Sequence, residues 1–302
     1  VLPPAAMGAV VALIGLELAK NKVGGGLIGA NLMTETASSA DWIVFGATLA
    51  TAIIGSIAFK GFFSTIPILI AIIVGYLVAV SQRQVDFTPV LEAKLFTIPE
   101  FKMAKFSVES IIAMLPVIFV ITAEHISHQV VTSNIVGKDL LKDPGLHRSI
   151  FADNFSTALS GLIGGVPTTT YGENIGVMAI TGVYSVSVIG GAAIISILMA
   201  FFGPLSALIS TIPGNVIGGV TFLLYGMIGS SGIRLLVDQK VDYSQSENLI
   251  LTSVIFITGL SGLSIQFGKL QFQGMVLASI VAVVLSLLIY LLKKLTGQKT
   301  SN

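Results

Sequence analysis

The chain has 302 residues, of which 10% are charged and 54% hydrophobic, with a formal net charge of +1. Soluble domains carry roughly 25% charged residues, so this composition and a mean hydropathy of +0.93 exclude an ordinary soluble fold. The near-neutral charge argues against a nucleic-acid partner, and a sequence without cysteine has no disulfides or thiolate metal sites.

The apolar residues fall in blocks near the length that crosses a bilayer as a helix. In chain order they predict spans at 2–19, 42–60, 62–81, 107–135, 147–165, 173–183, 184–208, 216–237, 248–266 and 275–294. The first is not a signal peptide, because it lacks a basic start and contains Pro3, Pro4 and Glu17. The sequence opens inside an apolar run without methionine, so a longer natural chain is expected. Residues 20–41 are rich in glycine and polar groups and read as a loop. Residues 82–106 mix Arg83, Lys94, Lys102 and Lys105 with Asp86, Glu92 and Glu100, as a surface excursion would. Residues 136–148 form a short basic connection.

Short loops rich in Lys and Arg mark the cytoplasmic side. Alternate connections carry Lys60, then Lys138, Lys142 and Arg148, then Arg234 and Lys240, then Lys293, Lys294 and Lys299 in the tail. The opposite short loops carry only Lys20, Lys22 and Lys269, which predicts a cytoplasmic C-terminus. A short internal match is also present. Leu2, Pro3, Gly8, Val10 and Leu13 recur with the same spacing as Ile212, Pro213, Gly218, Val220 and Leu223. Internal repeats are common in secondary transporters. If this one is real, the polar block 107–212 needs a mate, which would precede Val1.

Two clusters carry chemistry. The first is Ala123-Glu124-His125-Ile126-Ser127-His128, deep along the span 107–135. Glu124 and His128 are four apart and share a helix face. A carboxylate at mid-bilayer costs about 2.5–3.5 kcal/mol, so such groups are usually functional. Desolvation favours its neutral form, which suits a proton carrier, and histidine titrates near neutrality. The plainer alternative is a Glu–His pair that only ties helices together. Zinc proteases use H-E-x-x-H. The order here is E-H-x-x-H with His125 and His128 only three apart, so neither a metal site nor an enzyme is expected.

The second cluster runs from Gly164 to Gly176. Prolines and glycines flank Thr168-Thr169-Thr170, which favours extended backbone, and about ten helix-compatible residues follow. The expectation is a broken span, a short extended stretch followed by a half-helix opening near Tyr171–Asn174. Irregular backbone at membrane depth is tolerated only where it is buried or lines a cavity. A half-helix N-terminus presents free N–H groups, and Glu173 places an acceptor beside them. An ordinary extramembrane loop with a capping glutamate is the alternative. A planar neutral ring with two N–H donors and two carbonyls fits such a set. Glu124 and Glu173 accept, the Gly172 amide donates, and Tyr171 stacks.

At these residues the sequence resembles the nucleobase–ascorbate transporter family, the nucleobase:cation symporters. The signature reads Glu173-Asn174-Ile175-Gly176-x4-Thr181, with Gly182 in place of the commoner basic residue. The stretches AEHISHQVVTSNIVGKDLLKDPGLHRS, PTTTYGENIGVMAITGVYS, PPAAMGAVVALIGLELA and LLYGMIGSSGIR are similar to the uracil-carrying bacterial members.

The resemblance implies an all-α, polytopic membrane protein, an inverted-repeat transporter with core and gate domains. On that plan 1–81 supplies the first gate helices and 82–106 an extramembrane linker. Residues 107–212 supply the second half of the core, and 213–302 the second gate helices and a cytoplasmic tail. The other half of the core would precede Val1. The implied function is proton-coupled uracil import across the plasma membrane by alternating access, with no cofactor beyond the proton. Glu124, Glu173 and Gly172 are the implied uracil contacts, with Tyr171 a weaker carry-over and Tyr225 facing the site from a gate helix. His128 joins Glu124 in the proton pathway, and Asp153 is a structural residue. The resemblance leaves a homodimer open. Xanthine, purine or ascorbate symport within the family, and anion exchange on a related fold, are the alternatives.

Overall fold

The computed structural model describes residues 3–20, 38–267 and 270–296. Lys22 and most of the predicted loop 20–41, Lys269, and the tail with Lys299 lie outside the described residues. The described chain is helical, with α1 Pro4–Lys20, α2 Ser39–Ala58, α3 Pro67–Ser81, α4 Thr88–Leu91, α5 Val108–Val136, α6 Leu146–Leu162, α7 Gly172–Thr181, α8 Val186–Ala200, α9 Gly203–Ser210, α10 Gly214–Asp238 and α11 Ser246–Leu260. Two short antiparallel strands, β1 Ser264–Phe267 and β2 Leu270–Gln273, precede α12 Gly274–Thr296. Of these helices α2, α10 and α12 are long and apolar enough to cross a membrane. The apolar side chains of α8 are exposed from Val186 to Met199. In water such a surface would be an aggregation liability, whereas lipid accepts it.

The structure departs from the predicted spans in three places. The span 62–81 opens as a 3-10 turn, Gly61–Thr65, because Pro67 occupies the first turn of α3, where its missing N–H costs nothing. The span 184–208 breaks into α8 and α9 at Phe201–Phe202, just before Gly203-Pro204. The span 248–266 ends at Leu260, and Gly262 in the left-handed region leads the chain into β1. Among the described residues the all-α expectation therefore holds apart from the β1–β2 pair.

The chain forms two compact units. One comprises Val1–Asn21, Lys105–His125 and Leu224–Asn302. Its core joins Ala6, Ala9, Val10 and Leu13 of α1 with Ile255 of α11 and Ala278 and Ala282 of α12. Small residues let the backbones close up, as in membrane helix pairs. A β-carbon on Gly15 would strike the backbone of Tyr225 and Gly229, and one on Gly232 would strike Ala12. Glu17 accepts from the Met275 amide at the start of α12, and Lys293 near its end pairs with Glu247 at the start of α11.

The other unit comprises Lys22–Ala104 and Ile126–Leu223. Helices α2 and α3 form an antiparallel hairpin, and the first half of α10 packs against it through Val216 and Val220. At one end three helix termini meet in a polar cluster. Asp41 accepts from Gln84 at 2.9 Å and from Asn215 at 3.1 Å, and Asn215 also donates to Gln84 at 2.7 Å. Residues 82–106 are more than an excursion. Thr97 donates to the Phe201 carbonyl, Gly203 to that of Leu95, and Lys102 and Ala104 to those of Ile163 and Leu162.

The repeated motif opens its two helices alike. Pro3 immediately precedes α1, and its carbonyl accepts from the amides of Ala6 and Met7. Pro213 precedes α10, and its carbonyl accepts from those of Val216 and Ile217.

Candidate substrate site around the opening of α7

Residues 163–171 separate α6 from α7 without helical structure, and Tyr171 is extended at φ −118°, ψ 119°. Hydroxyl groups of α6 replace the missing backbone partners of this stretch. Ser160 donates to the Val166 carbonyl at 2.6 Å, and Ser156 meets the Thr168 hydroxyl at 2.9 Å. The Thr157 hydroxyl accepts from the Thr168 amide at 3.2 Å and donates to its carbonyl. Gly164, at φ +85° and against the Lys102 backbone, makes the turn out of α6. An extended segment between two helices survives because side chains satisfy it.

Helix α7 then runs ten residues and ends at Gly182 in the left-handed conformation, with its amide on the Met178 carbonyl. Its first residue is Gly172, and the side chain of the preceding Tyr171 makes no capping hydrogen bond. The opening faces α5. The His128 Nδ1 lies 2.8 Å from the Thr170 hydroxyl, and its Nε2 lies 3.4 Å from where a β-carbon on Gly172 would stand. The carbonyl of His128 accepts from Thr132 one turn on, at 2.7 Å. The structure thus joins two clusters that lie 42 residues apart in sequence.

Of the residues singled out from the sequence, His128, Tyr171 and Gly172 lie in the unit just described. His128 is half-buried, while Tyr171 and Gly172 are exposed. Glu173 is the second residue of α7, and its side chain lies outside the described set. Asp153 is half-buried on α6. Glu124 and Tyr225, both half-buried, belong to the other unit, on α5 and α10. His125 is 2% exposed there, whereas His128, three residues on, is half-buried. Sequence reasoning missed Thr170 as a side-chain partner. It entered only as one of three threonines favouring extended backbone, and nothing distinguished it from Thr168 or Thr169.

A helical chain with long apolar spans belongs to a class of membrane-embedded proteins. The chain belongs to the permease family, whose sequence pattern matches residues 1–268, and within it to the nucleobase–ascorbate transporters. It is 52% identical over 298 residues to the uracil permease of Escherichia coli (strain K12), covering 98% of this chain and 69% of that one. It is 50% identical over 298 residues to the uracil permease of Bacillus subtilis (strain 168), covering 96% and 68% respectively. The uracil permease of Paenibacillus larvae is 50% identical over 297 residues, with 98% and 70% covered. The protein is therefore a membrane-embedded permease.

Proposed function

We propose that the protein imports uracil by proton symport through alternating access. The observation that carries this reading is the His128 imidazole held at the opening of α7, beside Gly172 and Thr170. Uracil relatives at about half identity support the choice of substrate. In this reading the break before α7 interrupts a span of the core domain. Gly172 and Glu173 bind the ring through the backbone amide and the carboxylate, and Tyr171 stacks on it. Glu124 adds a second carboxylate, and Tyr225 approaches from a gate helix.

A proton binds near Glu124 and His128 and uracil binds against Glu173. The core, 107–212, then rocks against gate helices from 1–81 and 213–302 and exposes the site to the cytoplasm, where the C-terminus lies. One proton moving down about 150 mV supplies roughly 3.5 kcal/mol, enough for accumulation of a few hundred-fold.

The test is uptake of labelled uracil by the full-length protein in proteoliposomes, with and without an imposed proton gradient, against unlabelled uracil, xanthine or ascorbate. Gradient-driven uptake competed only by uracil is the expected result. Competition by xanthine or ascorbate moves the substrate within the family, and gradient-independent, chloride-dependent flux contradicts symport.

A further inference from the structure

The Thr170–His128 contact deepens that proposal and rests on it. We infer that Thr170 is a positioning residue that holds the His128 ring in register with the opening of α7 through every protonation state of the imidazole. The geometry is a 2.8 Å contact between Nδ1 and the threonine hydroxyl, with Nε2 turned toward Gly172.

A hydroxyl both donates and accepts. When Nδ1 is bare it accepts a hydrogen bond from the threonine hydroxyl, and Nε2 carries the ring hydrogen on the Gly172 side. When Nδ1 bears hydrogen, in the other neutral tautomer or in imidazolium, the hydroxyl oxygen accepts instead. A proton can therefore arrive at or leave the ring without breaking the bond that orients it. A carboxylate partner would favour one state, and an amide would need to flip between them. Threonine needs only to turn its hydroxyl hydrogen.

The anchor is itself anchored. Two residues earlier, Thr168 is bonded through its amide and carbonyl to Thr157, and Val166 through its carbonyl to Ser160. Thr170 thus projects from a stretch tied to α6, and His128 is referenced to α6 as well as to α7. Beside His128, the titratable residues at the start of α7 are Tyr171 and Glu173, and the contact on Nδ1 is the Thr170 hydroxyl.

The experiment uses the full-length protein in proteoliposomes and compares wild type, Thr170→Val and Thr170→Ser. Three quantities are read: gradient-driven uracil accumulation, equilibrium uracil binding, and uracil counterflow without a gradient. Valine keeps the shape and removes the hydroxyl, and serine restores it. Thr170→Val is expected to lose about tenfold in gradient-driven accumulation, the order expected for one hydrogen bond to an ionisable group. Binding and counterflow are expected to fall less than about twofold, and Thr170→Ser to recover most of the loss. Thr170→Val accumulation equal to wild type overturns the inference. So does an equal loss of all three readouts that serine does not restore, which is a packing defect. If wild-type accumulation ignores the proton gradient, the symport reading itself falls, a result distinct from either.

Discussion

His128 Nε2 lies 3.4 Å from the point where a β-carbon on Gly172 would stand, so the first residue of α7 has room for a methyl, and little more, beside a histidine of α5. In the proposed reading the Gly172 amide donates to a uracil carbonyl at this point. Gly172→Ala would just fit, with the new methyl against the imidazole. The variant is expected to express and melt like wild type and to bind uracil about tenfold more weakly, because the methyl covers the amide. Calorimetric titration of both proteins checks this.

Gly232 tests packing rather than transport. A β-carbon there meets the backbone of Ala12 on α1, which cannot move as a side chain tip can. Overpacking of this kind costs about 1–3 kcal/mol. Gly232→Ala is expected to lower the detergent melting temperature measurably, whereas Gly226→Ala, on the same helix with open space around it, is not. Fluorescence-detected melting of the two variants distinguishes them.

Asn215 holds the polar cluster at the start of α10. It is 5% exposed and its amide bridges Asp41 and Gln84, while its side-chain oxygen accepts from the Val216 amide. Replacing it with leucine leaves a part-buried carboxylate and a glutamine short of a partner, at a cost of about 1–3 kcal/mol. Asn215→Leu is expected to melt lower than wild type, and the double variant Asn215→Leu with Asp41→Asn to melt less far below it than the two single effects predict. A double-mutant cycle by melting temperature measures that coupling.

Asp242, in the connection between α10 and α11, has its carboxyl held below the ordinary carboxylate range by the Ser244 hydroxyl and amide. A carboxyl lowered by folding stabilises the fold above its unfolded value, and that contribution is lost as pH falls through the folded value. Wild type is therefore expected to melt above Asp242→Asn at neutral pH and to converge with it in acid. The group is exposed, so the gap is small. Melting curves from neutrality down to acid pH give the sign.

Much of this arrangement was legible in the sequence because lipid imposes it. Long apolar runs marked α2, α10 and α12, and the clustering of Pro, Gly and Thr marked the non-helical stretch between α6 and α7. Local signals that were present but outweighed by the apolar run explain two misses. Pro67 marked the true start of α3, and Gly203-Pro204 marked the division between α8 and α9. Other features had no local signal. Asp41, Gln84 and Asn215 meet across up to 174 residues of chain, and the selection of Thr170 from three threonines depends on where α5 packs. Backbone pairing of residues 95–104 with the ends of α6 and α8 was equally invisible, since polar residues between spans read simply as a loop.

In the proposed function the Glu173 carboxylate holds uracil at the opening of α7. Equilibrium binding of labelled uracil to purified full-length Glu173→Ala, beside His128→Ala, tests this directly. The expected results are no detectable binding by Glu173→Ala, and near-normal binding with impaired gradient-driven uptake by His128→Ala. Wild-type binding and full uptake by Glu173→Ala would contradict the proposed function.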